Sequence, residues 1–165
     1  MKINNREKVL DHLRHLDIGY KMVEHPPTPT IEEALKYWSE MDSTHCKNLF
    51  FRNHKGNQHY LVIFRFDKQL AVKDLELRLK QGKLSFASPE RMARFLGVTP
   101  GSVSLFGLIN DAEKYVIVFL DQNLRQSEYL SFHPNDNTAS LMISQDGFMK
   151  FLNHSGHRFE FIELY

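Results

Sequence analysis

Two runs of strand-forming residues, 46–52 and 59–66, are separated by Asn53-His54-Lys55-Gly56-Asn57. Aromatic and β-branched residues dominate the second run, and the first carries Leu49-Phe50-Phe51. A short polar connection holding a glycine between two such runs is a hairpin signal, so an antiparallel strand pair is expected near the middle of the chain. The rest of the fold has to be built around that pair.

The flanking segments alternate between the two periodicities. Residues 4–17 place Val9, Leu10, Leu13 and Leu16 at helical spacing, with Gly19 as the stop. A short strand is expected at 20–24. His25-Pro26-Pro27-Thr28-Pro29 cannot be regular structure, because three prolines remove donors and fix φ. Thr30 and Glu33 have the spacing of a capping box, and Ala34, Leu35, Trp38 and Met41 follow on one helical face. A charged helix is expected near 72–80. Ser88-Pro89-Glu90 opens another, with a capping hydroxyl and a proline where no donor is needed, and Gly97 closes it. Strands are expected at 103–108, 115–120, 128–132 and 138–143, a last helix at about 145–153 and a closing strand at 158–164. The pattern predicts a single α+β domain over 1–165, with a central mixed, largely antiparallel sheet flanked by helices. Most of its strands are expected to be joined to their neighbours by hairpins.

Composition narrows the function. With 21 basic and 20 acidic side chains the net charge is +1, which argues against wrapping long stretches of nucleic acid and leaves open a grip on the end of one strand. No apolar segment approaches a membrane span, and the polar start is not that of a signal peptide. One cysteine, Cys46, excludes a disulfide framework, so the cytoplasm is the expected compartment. Nine histidines invite a metal, but His12 and His15 lack a completing ligand, His154 and His157 read as solvated turn residues, and neither metal nor cofactor is expected.

Few residues have the makings of a site. Cys46 has His45 beside it, yet strand neighbours point to opposite faces, so a small packed side chain is the simpler reading. Lys47 opens an apolar run and is either surface decoration or an anion ligand, with Asn48 beside it. The segment Gly97-Val98-Thr99-Pro100-Gly101-Ser102-Val103-Ser104 is either a helix stop and a turn or an array of backbone N–H groups able to stabilise an oxyanion. His133, at a strand end, is a pocket residue or a loop residue.

Taken together, four segments resemble the free-standing prolyl-tRNA editing proteins, relatives of the editing domain of some prolyl-tRNA synthetases and of the YbaK deacylases. They are Glu24-His25-Pro26-Pro27 with Thr30-Ile31-Glu32-Glu33-Ala34; Lys47-Asn48-Leu49-Phe50; Leu84 to Arg91 continuing through Gly97–Val103 to Asn110-Asp111; and His133-Pro134-Asn135 with Asn137-Thr138-Ala139. The resemblance implies hydrolysis of alanine wrongly esterified to proline tRNA. It implies that Lys47 binds a phosphate near the terminal adenosine, that backbone groups from Gly101 hold the scissile carbonyl, and that His133 orients the aminoacyl group or limits its size. Asn48, Ser102, Leu105 and Thr30 are the implied substrate-contacting positions. The resemblance also implies that the substrate's own ribose hydroxyl helps place the attacking water. The expected partners are the tRNA acceptor end and prolyl-tRNA synthetase. The glycine loop of this superfamily usually ends in proline four residues after the glycine, where this chain has Leu105. Two alternatives stand beside the leading reading: a deacylase for cysteinyl- or seryl-tRNA, and a non-catalytic module that binds aminoacyl-tRNA or a synthetase.

Overall fold

A computed structural model describes residues 5–27, 31–38 and 41–164. In chain order these form α1 (Asn5–His15), β1 (Lys21–Glu24), α2 (Ile31–Trp38), β2 (Thr44–Arg52), β3 (His59–Arg65), α3 (Val72–Leu79), β4 (Ser85–Phe86) and α4 (Pro89–Leu96). A 3-10 helix (Leu105–Asn110), β5 (Val116–Asp121), a second 3-10 helix (Gln122–Gln126), β6 (Tyr129–Phe132), β7 (Ala139–Ser144), α5 (Gln145–Ser155) and β8 (Phe159–Ile162) follow. The Thr30 cap lies outside the described residues.

The strands make one mixed sheet in the order β1-β7-β6-β2-β3-β5-β8, with β4 added to β2. The expected hairpin is present: β2 and β3 run antiparallel from Cys46↔Arg65 to Arg52↔His59. Chain neighbours pair again in β6–β7, but β2–β6, β3–β5 and β5–β8 are parallel pairs joined by long connections. The sheet is therefore less hairpin-built than the spacing of its strands suggests.

Strand alternation sorts the apolar residues onto two faces. From β3, Leu61 and Ile63 enter the larger core with α1, α4 and α5, while Tyr60, Val62 and Phe64 enter a second core with α3. Such burial on both faces is why 60–64 reads as an unbroken apolar run. From β2, Phe50 joins the first core and Phe51 the second. Each fully buried Leu or Phe contributes roughly 1.5–3 kcal/mol.

The helix ends follow their local chemistry. Ser88 Oγ accepts from the Arg91 N–H at 3.2 Å, and Gly97 closes α4 with φ of 66°. A Cβ at Gly97 would lie 2.7 Å from Asn110 Nδ2, so this position needs glycine twice over. Arg91 ties α4 to the hairpin, donating from Nη1 to the Gly56 carbonyl at 2.9 Å and to His59 Nε2 at 2.8 Å. As the acceptor, His59 is neutral, and burial together with Arg91, Arg94 and Arg52 pushes its pKa down to about 4.

Two expectations need correction. Residues 103–108 are not a strand; Leu105–Asn110 is a 3-10 helix capped by Ser104, whose Oγ accepts from the Phe106 N–H at 3.2 Å. A short apolar run does not distinguish a strand from a buried turn of helix, and the cap decides here. His157 is not solvated. It is 5% exposed, with Nε2 2.9 Å from Asp111 Oδ2, which also accepts from the Val116 N–H.

Candidate active site

On the edge of β2 that faces away from β3, β6 pairs only with Thr44 and His45. β4 pairs only with Phe51 and Arg52, and the Ala87 N–H reaches the Phe50 carbonyl. Between these ladders Lys47, Asn48 and Leu49 have no strand partner on that edge among the described residues. The sheet is notched there. His133 follows β6 two residues beyond Ser131, just as Lys47 follows His45, the partner of Ser131 in the parallel register. Lys47, inside β2, and His133, just past the end of β6, thus stand at matching positions beyond the last bonded pair of two adjacent parallel strands.

The Gly101 loop covers this notch. Thr99-Pro100-Gly101-Ser102 is a β-turn closed by the Ser102 N–H donating to the Thr99 carbonyl at 3.0 Å, and Gly101 has φ of 90°. Proline at the second position and a left-handed glycine at the third are what a type II turn requires. The turn engages the Ser102 N–H. The N–H groups of Gly101, Val103 and Ser104 make no hydrogen bond to a described residue, and Ser104 is fully buried. Ordinarily a buried backbone donor is paired. Here the buried Ser104 donor has no described partner.

Asn48 holds the far end of this loop. Its Oδ1 accepts from the Leu105 N–H at 3.0 Å, and its Nδ2 donates to the Cys46 carbonyl at 3.4 Å. The Leu105 side chain is 0% exposed and lies in the larger core, so this residue shapes the loop from beneath. Ser102 is buried as well.

The opposite wall is the His133–Thr138 segment. Asn135, in a left-handed conformation with φ of 58°, donates from Nδ2 to the Phe106 carbonyl at 3.3 Å. Asn137 Nδ2 lies 3.6 Å from where a Cβ on Gly101 would stand. Both contacts join this segment to the glycine loop. His133 Nδ1 is 2.8 Å from the Ala139 carbonyl, which can only accept, so the proton is on Nδ1 and Nε2 carries a lone pair. Burial holds His133 below its ordinary pKa, and neighbouring His25 adds to this against the Ala139 carbonyl and Asp136. The two imidazoles meet edge to face at 5.9 Å, and His25 touches Tyr37 of α2 at 5.4 Å. His25 was visible in the sequence only as part of a matching segment, since nothing local marks it as a neighbour of His133.

The sequence-derived residues divide accordingly. Asn48, Gly101, Ser102 and Leu105 are joined through one loop, and His133 stands on the segment that borders it. Lys47 is half-buried beside them, with no hydrogen bond or ion pair to a described residue. Alternation sends its side chain to the face of Leu49 and Phe51, opposite that of Asn48. Cys46 is no nucleophile: burial pushes its thiol above the usual range, and Sγ donates to the Thr44 carbonyl at 3.6 Å. Thr30 lies outside the described residues. Among those described, no three His, Cys, Asp or Glu residues form a metal-binding group, and no helix is long and apolar enough to cross a membrane.

A notched mixed sheet roofed by a glycine turn, with Asn48 beneath the loop and the His133 segment bordering it, is the site of this fold. Residues 25–151 match the aminoacyl-tRNA editing domain, and the chain belongs to that family. It is 39% identical over 164 residues to the prolyl-tRNA editing protein ProX of Acetoanaerobium sticklandii, a match covering 99% of this chain and 100% of that protein. It is 33% identical over 156 residues to prolyl-tRNA synthetase associated domain-containing protein 1 of Xenopus laevis, covering 92% of each. In structure it is similar to a candidate trans-editing enzyme for prolyl tRNA synthetase, with a TM-score of 0.74 over the whole of both chains. At 20% identity that likeness speaks to the fold alone.

Proposed function

We propose that the chain, acting as one editing domain, is a trans-editing deacylase that hydrolyses alanine from mischarged proline tRNA. The observation that carries this reading is the Gly101 turn, whose free N–H groups at Gly101, Val103 and Ser104 are held in place by Asn48 beneath them. Donors fixed where negative charge develops stabilise a tetrahedral intermediate without reorganising during the reaction. Water adds to the ester carbonyl carbon, the bond to the ribose oxygen breaks, and a proton passes to that oxygen. The products are free alanine and intact tRNA. The neighbouring ribose hydroxyl places the water, so the chain's part is to supply donors, shape and a phosphate ligand.

In this reading Lys47 binds a phosphate near the terminal adenosine, across the notch from the ester. His133 offers the lone pair of Nε2 to the ammonium of the aminoacyl group, and its bulk beside His25 limits side-chain size. Asn48 and Leu105 position the loop, and Ser102 and Thr30 border the substrate. A synthetase pocket rejects a smaller amino acid weakly, so a second pocket that admits alanine and excludes proline completes the discrimination. Prolyl-tRNA synthetase is the partner this division of labour suggests.

Single-turnover hydrolysis of alanyl-, cysteinyl-, seryl- and prolyl-tRNA, all on proline tRNA, tests the proposal. Alanyl-tRNA is expected to be cleaved fastest and prolyl-tRNA spared. Preference for the cysteinyl or seryl ester would reassign the substrate, and binding without turnover would make the chain a non-catalytic module.

A further inference from the structure

The motif Leu84-Ser85-Phe86-Ala87-Ser88 is one of the most family-like segments of the sequence, yet the deacylation step makes no use of it. Leu84 and Ala87 are buried, and Ser88 caps α4. Phe86 has no such role: it is 65% exposed, on a strand two residues long. Its ring is nevertheless held, stacked at 4.8 Å and 22° on Phe51, which is itself 2% exposed. One face of Phe86 is therefore backed by the second core, and the other is presented flat to solvent.

Its location gives that face a meaning. Phe86 stands opposite Phe51 in the β2–β4 register, and Lys47, Leu49 and Phe51 share one face of β2. At about 3.3 Å per residue, Lys47 is roughly 13 Å from Phe51 along the strand. The unpaired edge of β2 lies between them. Lys47 has no hydrogen bond or ion pair to a described residue, whereas Arg52 and Arg91 belong to the opposite face, gathered around His59. A fixed aromatic face on the same side of the strand as an unpaired lysine has the elements of a single-strand nucleic-acid track, where bases stack on rings and cations follow the backbone. A protein-docking patch would instead be expected to extend as contiguous apolar surface.

We propose that Phe86 is a stacking platform for a base of the unpaired 3′ strand of the tRNA, upstream of the terminal adenosine whose phosphate Lys47 binds. The inference rests on the editing reading and assigns that site its contact with the strand behind the ester.

The test uses the full chain and three ligands: alanyl-tRNA for proline, alanyl-adenosine, and a tetranucleotide of the tRNA 3′ end carrying 2-aminopurine before the terminal adenosine. Wild type is expected to quench the fluorophore. F86L, which keeps an apolar side chain of similar reach but no ring, is expected to abolish the quench and weaken binding about ten-fold or more, and F86W to restore both. On alanyl-tRNA, F86L should raise KM by a similar factor with little change in kcat, and on alanyl-adenosine it should match wild type. Quenching by F86L equal to wild type, or equal slowing on both alanyl esters, overturns the platform. So does loss of binding to prolyl-tRNA synthetase with the RNA quench retained, which would make Phe86 a protein contact. A wild type that quenches the probe but leaves alanyl-tRNA intact overturns the editing reading and leaves the platform standing.

Discussion

Asn48 Oδ1 accepts a hydrogen bond from the backbone N–H of Leu105 at 3.0 Å, joining the middle of β2 to the end of the glycine loop. Most members of this superfamily are expected to have proline at that position, and proline has no N–H to donate. The leucine here therefore brings the loop an anchor that a proline loop lacks, and flexibility lost through ring closure is replaced by a tether.

This relationship predicts coupling between the two residues. Asn48→Ala leaves the buried Leu105 N–H unpaired and is expected to destabilise the chain by about 1–3 kcal/mol and to slow deacylation. In a Leu105→Pro background the same change should cost markedly less, because the donor is already gone. Urea denaturation and single-turnover rates for all four chains make the double-mutant cycle. Additive effects would mean that the bond does not hold the loop.

Lys47→Ala should separate activity from stability. The lysine is half-buried, with no hydrogen bond or ion pair to a described residue, so its loss is expected to leave the melting temperature nearly unchanged. Losing a charge-assisted contact to phosphate, about 1.5–3 kcal/mol, should lower kcat/KM roughly 10- to 100-fold. Unaltered deacylation by a folded Lys47→Ala chain would remove the lysine from the site.

Gly101→Ala tests the turn. The new methyl group would meet only Asn137 Nδ2 at 3.6 Å, an ordinary contact, so crowding is not the obstacle. The obstacle is φ of 90°, at which a side chain costs about 1–3 kcal/mol. Relief of that strain would rotate the N–H groups of residues 101–104. The variant should fold with a modestly lowered melting temperature and lose most of its deacylation, which thermal melts and single-turnover assays would read together.

Acid stability should report His59. Its pKa is near 4 in the folded chain and about 6.5 when unfolded. Between those values the unfolded chain binds a proton that the folded chain does not, so stability falls as pH falls through this window. Above pH 6.5 the effect is absent, and near pH 4 it reaches about 3 kcal/mol. His59→Gln keeps an acceptor for Arg91 without the titration. Urea midpoints for wild type and variant should diverge between pH 6.5 and 4, and parallel curves would contradict the assignment.

Much of the architecture was legible because its causes are local. The Asn53–Asn57 connection marks the β2–β3 hairpin, and Ser88, Pro89 and Gly97 bound α4 by capping rules that operate within a few residues. The Leu105–Asn110 segment was misread because its residues suit strand and helix alike, and the single cap at Ser104 that decides between them is a weak signal in sequence. The parallel pairs were not legible for the same reason, since no turn residue announces that Thr44 will lie beside Leu130. For the site, composition left Lys47 and Gly101 ambiguous, and family resemblance brought them together. Phe86 needed coordinates, because exposure and backing by Phe51 cannot be read from a motif.

The split edge of β2 also governs when the protein can act. Lys47 and Gly101 belong to the earlier part of the chain, but the strand that brings His133 alongside them pairs across a very large loop, as does Lys21 with Met142. Closing such loops is slow, and contacts of this separation form late in folding. Hydrolytic competence should therefore require β6 and β7 to be docked beside β2, since only then does His133 border the glycine turn.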